Sequence, residues 1–210
     1  MLLWINGPFG GGKSQTAREL HSRLPGSVIC DPELLGYGLH RMLPARLRDD
    51  FQDFPAWRQG VYEVLDLVLR SAEGPVIAPM TLIEPAYFAE IIGRLTAAGH
   101  DVRHFALLAD ARVVERRLRE RVIVHAIQRL RGQHVPPFRD TFAMRKLGLC
   151  LSRLSQPEFA TQLRTDDLTV PQVAEAIAAS AGLALGPHRG TAVGGRLRQA
   201  SRGLRHALTQ

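Results

Sequence analysis

Eight residues near the start of the chain carry the most explicit chemistry. Gly7-Pro8-Phe9-Gly10-Gly11-Gly12-Lys13-Ser14 satisfies the pattern G-x-x-x-x-G-K-S. Backbone N–H groups of such a glycine-rich turn wrap phosphate oxygens, and the helix that follows adds the positive end of its dipole. Lys13 would reach the β- and γ-phosphates, and the Ser14 hydroxyl would coordinate Mg²⁺. Gly7, Phe9, Gly10, Gly11, Gly12 and Gln15 would complete the cradle, so ATP and Mg²⁺ are the expected cofactors. Composition supports the motif: of 27 Lys+Arg only two are lysines, Lys13 and Lys146. In so Arg-rich a chain, a lysine at the motif position is not drift.

Other candidates need partners from elsewhere in the chain. Asp31 has two readings. A carboxylate there would orient or deprotonate a hydroxyl acceptor, and the same residue would cap a helix ahead of Pro32. Arg116-Arg117-Leu118-Arg119-Glu120-Arg121 supplies cations for a lid over phosphates, or a solvated helix face. Arg117 and Arg121 share one face at i, i+4 and would converge on one anion. Phe51, Phe54, Trp57 and Tyr62 would stack on a base or fill core, and Asp53 between two of them would hold a polar ligand group. The third strand lacks a terminal Asp, so metal would rest on Ser14, phosphates, water and Asp31. The eight histidines show no zinc-ligand spacing, and there is no G-x-S-x-G elbow.

The elements that must position these residues follow from periodicity. Leu2-Leu3-Trp4-Ile5 reads as a buried parallel strand, and residues 14–24 as an amphipathic helix stopped by Pro25-Gly26. A second strand over 27–30 ends at Asp31, and a helix from Pro32 toward Met42 follows. An acidic, aromatic connection spans 44–56, then a helix over 56–70, a third strand over 76–78 and a helix over 85–98. A fourth strand covers 102–108 and an Arg-dense helix 111–130. Residues 131–140 read as a loop, 141–154 as helix, 161–164 as a short fifth strand and 170–181 as the closing helix. Strands alternating with helices imply a parallel α/β sandwich. Ligands of such sheets sit at the carboxyl ends of the strands. That rule gathers residues 7–14, Asp31, Thr81, the start of the Arg-rich helix, Thr165 and Asp166 at one site.

Totals bound the rest. The 210 residues suit one domain. Two cysteines, Cys30 and Cys150, give no disulfide framework and point to a reducing cytoplasm. No 18-residue apolar stretch exists for a membrane span, and no signal peptide is expected before the first strand. The net charge is +7, but residues 183–210 hold Arg189, Arg196, Arg198, Arg202 and Arg205 and no acid. They leave the body near +2, which argues against nucleic acid as a partner. The tail over 182–210 has two readings: no fixed structure, or a weak basic helix touching an anionic membrane surface.

Several further residues carry a resemblance. Trp4-Ile5-Asn6-Gly7-x-Phe9-Gly10-x-Gly12-Lys13 with Gln15-Thr16-Ala17, and Glu19-Leu20-His21-x-Arg23-Leu24, look like the ATP-binding tunicamycin resistance protein family. Asp31-Pro32-Glu33, Asp50-Phe51-Gln52-Asp53, Pro55, Trp57-Arg58 and Pro79-Met80-Thr81 fit it too. So do Arg94-Leu95, Arg117-Leu118-Arg119 with Arg121, and Leu154-Ser155 with Pro157 and Phe159. The resemblance covers about residues 1–181; within the lid, residues 122–140 look longer than the family pattern, and the basic tail does not take part in the resemblance. More distantly the layout resembles chloramphenicol phosphotransferase and shikimate kinase. It implies a P-loop NTPase three-layer sandwich of the nucleoside/nucleotide-kinase type, with a five-stranded parallel sheet and a helical lid over about 112–140. It also implies a phosphotransferase acting on a hydroxyl of tunicamycin, a uridine-containing nucleoside with a fatty-acyl chain, or on a nucleotide-sugar-like ligand. Lys13, Asp31, Arg117 and Arg121 would be catalytic. Arg117, Thr165 and Asp166 would join the nucleotide site. Within the segment 31–70 and the end of the third strand, Asp31, Glu33, Phe51, Asp53, Phe54, Trp57, Arg58, Met80 and Thr81 would hold the acceptor. The alternative is an ATP-dependent protein that binds the drug without turning it over.

Overall fold

Successive side chains of β1 (Leu2–Asn6) point to opposite sides, yet all five residues are buried. A strand buried on both faces must lie inside a sheet covered by helices on each side. The computed structural model describes residues 1–130, 140–159 and 161–188, with side chains except at 121–130, 140–145 and 158. In it β1 is the middle strand of a five-stranded sheet of order β2-β3-β1-β4-β5. The others are β2 (Val28–Ile29), β3 (Val76–Pro79), β4 (Val102–Leu108) and β5 (Thr161–Arg164), and every pairing is parallel. The helices in chain order are α1 (Lys13–Arg23), α2 (Pro32–Met42), α3 (Pro55–Ser71), α4 (Pro85–Phe88), α5 (Arg94–Ala97), α6 (Ala111–Leu130), α7 (Asp140–Leu154) and α8 (Val170–Ser180).

Leu3, Ile5, Phe105 and Leu107 pack against Leu20 of α1 and Val173 and Ile177 of α8 on one face. Leu2, Trp4, Val76 and Ala78 pack against Trp57, Val61 and Leu65 of α3 and Ile91 on the other. The three layers expected from the sequence are present. Val114 and Leu118 of α6 and Leu147 of α7 form a smaller cluster with Phe9, which seats both helices beside the first loop. Among the described residues no helix is long and apolar enough to cross a membrane.

Two expectations differ from the structure. The single helix over 85–98 is broken by a π-helical stretch at Ala89–Gly93, which separates α4 from α5. The wider turn lets the adjacent Ile91 and Ile92, 0% and 5% exposed, share the core, an arrangement a 3.6-residue period does not describe. The tail boundary at 182 also shifts. Leu183 and Leu185 pack against the core beside α1 and α8. Gly186 N–H donates to the Arg23 carbonyl at 2.9 Å, and Arg23 Nε donates to the Gly186 carbonyl at 2.8 Å. Two leucines and a pair of hydrogen bonds to Arg23 are too short a segment to give a periodic pattern. Of the expected loop at 131–140, Asp140 instead begins α7, and residues 131–139, like the basic residues from 189 to 210, lie outside the described residues.

His104, on β4 beside Trp4, is wedged against Phe88 and Phe159 at ring separations of 4.8 and 6.1 Å. Neither ring nitrogen has a hydrogen-bond partner among the described residues. Burial disfavours the charged ring and pulls its pKa from 6.5 to about 4. The unfolded chain therefore takes up this proton first as pH falls. Stability is expected to decline between about pH 6.5 and 4, by roughly 3 kcal/mol from this residue alone. Urea unfolding of wild type and His104→Phe across that range checks it: the variant should lose the pH dependence that wild type shows.

Candidate functional site

The loop between β1 and α1 is shaped by its main chain. Gly12, at φ 92°, caps α1 with no side-chain hydrogen bond to the first turn. Ser14 and Gln15 are exposed at that open helix end. Gly10 has φ 77°, and a Cβ there would stand 2.9 Å from Leu118, so only glycine lets the loop lie against α6. Gly11 N–H donates to the Pro8 carbonyl at 2.9 Å, and Lys13 Nζ donates to the same oxygen at 3.0 Å. The Lys13 ammonium lies 5.6 Å from the Phe9 ring centroid, and Lys13 is only 7% exposed.

The far end of the loop is fixed by two polar side chains. Asn6 Oδ1 accepts from Gly7 N–H at 2.9 Å and Leu82 N–H at 3.0 Å, while Nδ2 donates to the Leu82 carbonyl at 2.7 Å. Thr81 Oγ1 donates to the Gly7 carbonyl at 2.8 Å. Asn6 was not expected as a site residue; its signal was a polar side chain closing an otherwise apolar strand. An uncapped helix start, a nearly buried cation and an exposed hydroxyl suit a triphosphate with its metal. Among the described residues no three His, Cys, Asp or Glu side chains converge on a metal.

Asp31 takes the helix-capping position of its second reading. Its Oδ1 accepts from Glu33 N–H at 3.0 Å, capping α2 ahead of Pro32. The carboxylate is half-buried, and burial raises its pKa; the Glu33 hydrogen bond and the charges of Lys13 and Arg18 partly offset this. Asp31 follows the carboxyl end of β2, on the same edge of the parallel sheet at which β1 runs into the loop. Glu33 accepts from the Tyr37 hydroxyl at 3.0 Å. Beside Asp31, a cavity of about 40 Å³ opens between α2 and α3, lined by Cys30, Pro32, Leu35, Val61, Val64 and Leu65.

The aromatic connection divides into lining and scaffold. Phe51 lies on Gly36, where a Cβ would come within 2.5 Å of its ring. It meets His40 and Trp57 at 5.4 Å. Phe54 is half-buried, and the exposed Asp53 accepts from the Tyr87 hydroxyl at 2.9 Å. Four of the expected acceptor residues are buried or engaged by other parts of the chain. Trp57 is fully buried, and its indole N–H donates to the Pro32 carbonyl at 3.1 Å. It anchors the start of α2, and so Asp31, rather than offering a face to a ligand. Arg58 is spent on Glu90 at 2.7 Å, the Gln52 carbonyl at 2.6 Å and the face of Tyr87 at 4.2 Å. Met80 is 1% exposed, and Thr81 holds the loop as described.

On the other flank, Arg117 Nη2 donates to the Thr165 carbonyl at 2.7 Å. Thr165 N–H in turn donates to the Leu108 carbonyl at 2.8 Å. Asp166 accepts from Asp110 N–H at 2.6 Å and Arg164 Nε at 3.0 Å. The Asp110 bond, foremost, keeps the Asp166 carboxyl below its usual range. Arg117, Thr165 and Asp166 thus meet where β4 and β5 end. The side chain of Arg121 lies outside the described residues.

A family model described as an AAA domain matches residues 2–131. The structure of the Deinococcus radiodurans tunicamycin resistance protein aligns at a TM-score of 0.69 with 33% identity, covering 89% of this chain and 98% of that one. The chain belongs to the tunicamycin resistance protein family. A sugar kinase from Janibacter sp. HTCC2649 (TM-score 0.57, 15% identity, 87% and 95% covered) and a Bacteroides thetaiotaomicron shikimate kinase (0.51, 16%, 87% and 99%) share the fold. A search of curated proteins finds no match.

This member of the tunicamycin resistance family is therefore a nucleotide-binding, kinase-like P-loop protein. Its phosphate loop, Asp31 and the Arg117–Thr165 contact occupy one end of the sheet, and the segment around Phe51 forms the neighbouring wall.

Proposed function

We propose that the chain transfers the γ-phosphoryl group of ATP to a hydroxyl of tunicamycin or a related uridine-containing nucleoside. The observation that carries this is Asp31: a half-buried carboxylate held by its cap bond at the strand ends, within electrostatic reach of Lys13. Lys13 and the loop amides would hold the β- and γ-phosphates, and Ser14 the metal. Mg²⁺, when bound, would neutralise charge on the phosphate oxygens. Asp31 would take the acceptor proton as that oxygen bonds to the γ-phosphorus and the bond to ADP breaks. Arg117 would border the nucleotide, and Arg121 would approach with the lid over 112–140. Glu33, Phe51, Asp53 and Phe54 would line the acceptor. Such catalysis is mostly positioning and electrostatics. The site is assigned to a cytoplasmic protein.

A second reading follows from the end of β3. Pro79 closes the strand and Met80 and Thr81 follow it, none of them a carboxylate, which suits a protein that binds ATP and sequesters the drug. ADP release separates the two. Tunicamycin should stimulate ADP formation over many turnovers in wild type, and uridine alone should do so weakly. Saturable one-to-one drug binding with no ADP would overturn the transfer reading and support sequestration.

A further inference from the structure

The second of the chain's two lysines sits on α7, where no motif marks it. Lys146 Nζ lies 2.7 Å from Asp50 Oδ2, and the two side chains are 38% and 15% exposed. The other oxygen of Asp50 accepts from Gln52 N–H at 3.2 Å, capping the 3₁₀ turn Phe51–Asp53 that carries the expected acceptor residues. From there the contacts run to the nucleotide side. Gln52 Nε2 donates to the Thr81 carbonyl at 3.1 Å, and Thr81 Oγ1 donates to the Gly7 carbonyl at 2.8 Å. The helix bearing Lys146 is itself seated on the phosphate loop, since Leu147 and Leu151 pack in the cluster that includes Phe9. The buried Cys150, one turn from Lys146, feels the charge of both lysines.

We propose that Lys146 and Asp50 form a positioning pair that docks α7 onto the 50–54 turn and sets the acceptor wall relative to the phosphate loop. An exposed ion pair contributes little to global stability. This one joins three parts of the site: α7 beside the loop, the acceptor turn, and through Gln52 and Thr81 the loop itself. Without Lys146, Asp50 keeps its cap on Gln52 but the turn loses its tie to α7. The wall would then sample positions that bind acceptor poorly, while Lys13 and the loop amides remain in place for ATP. The effect should fall on acceptor affinity and should weaken with salt.

The assignment of an acceptor to this wall rests on the transfer reading above, so the test has an arm that needs no acceptor. Hydrogen exchange of the full chain is measured for wild type, Lys146→Met and Lys146→Arg. Amides at 50–54 should exchange about tenfold faster in Lys146→Met and return toward wild type in Lys146→Arg. Unchanged exchange at 50–54 in Lys146→Met overturns the pair's role. With MgATP, the Kd for nucleotide should stay within about twofold. With tunicamycin as the acceptor, KM should rise about tenfold at little-changed kcat, and added salt should raise the wild-type KM more than the variant's. An unchanged KM, or a loss confined to kcat, contradicts acceptor positioning. Faster exchange at 50–54 in a protein whose wild type never turns over tunicamycin would leave the pair standing and remove the substrate reading.

Discussion

Lys13→Ala is expected to lower kcat/KM for phosphoryl transfer by about 10²–10³-fold, the effect of removing one preorganised donor to developing charge. Lys13 is 7% exposed, and its Nζ spans the loop to the Pro8 carbonyl at 3.0 Å. In that position it stiffens the loop and would meet bound phosphate with little rearrangement. Much of the loss should appear as weaker ATP binding. Lys13→Arg should not restore it, because a planar guanidinium does not fit the space of a compact ammonium. Steady-state kinetics and nucleotide titration, beside a melting curve showing that the fold survives, check this result. Full ATP affinity and unchanged turnover in Lys13→Ala would mean that Lys13 does not contact the phosphates.

Asp31→Asn separates the observed cap from the proposed role as base. Asparagine caps helices about as well as aspartate, so the start of α2 should stay in place. What is lost is the charge. If Asp31 takes the acceptor proton, kcat should fall by about 10²–10⁴-fold, the usual contribution of a positioned general base. If Asp31 is a cap alone, kcat should hold. Stability carries a second signature. Burial, foremost, raises the folded-state pKa of Asp31 above 3.8. The folded state therefore prefers the protonated acid, and stability falls as pH rises through that raised value. Asparagine removes this penalty, so the variant should be as stable as wild type or slightly more so at neutral pH while being far less active. In wild type, activity should fail as pH drops through the same raised pKa. A wild-type acid limb that lies at the ordinary carboxylate value would contradict a raised pKa at Asp31 or its role as the base.

The parts legible in the sequence are those where the main chain or burial leaves little choice. Gly10 and Gly12 adopt φ of 77° and 92°, and the loop pattern states that need directly. The buried residues of β1, β3 and β4 read as apolar runs because helices cover both faces of the sheet. Pro32 marked the start of α2 to the residue. Side-chain roles at the acceptor wall were less legible. Trp57, Arg58 and Thr81 are residue types that bind ligands well, yet each is occupied by a partner distant in sequence: Pro32, Glu90 and Gly7. Their work is to hold the wall and the loop. Asn6 and Lys146 carry little local signal for the same reason, since their partners Leu82 and Asp50 lie 76 and 96 positions away. The π-helical turn at Ala89–Gly93 has no periodic signature at all.

The most direct measurement is mass spectrometry of tunicamycin after incubation with the purified chain, Mg²⁺ and excess ATP, with Lys13→Ala and Asp31→Asn in parallel. The expected result is a phosphate-sized mass gain on well over one equivalent of drug per protein, nearly abolished in both variants. Drug recovered unmodified from a protein that binds it tightly in the presence of ATP would contradict phosphoryl transfer.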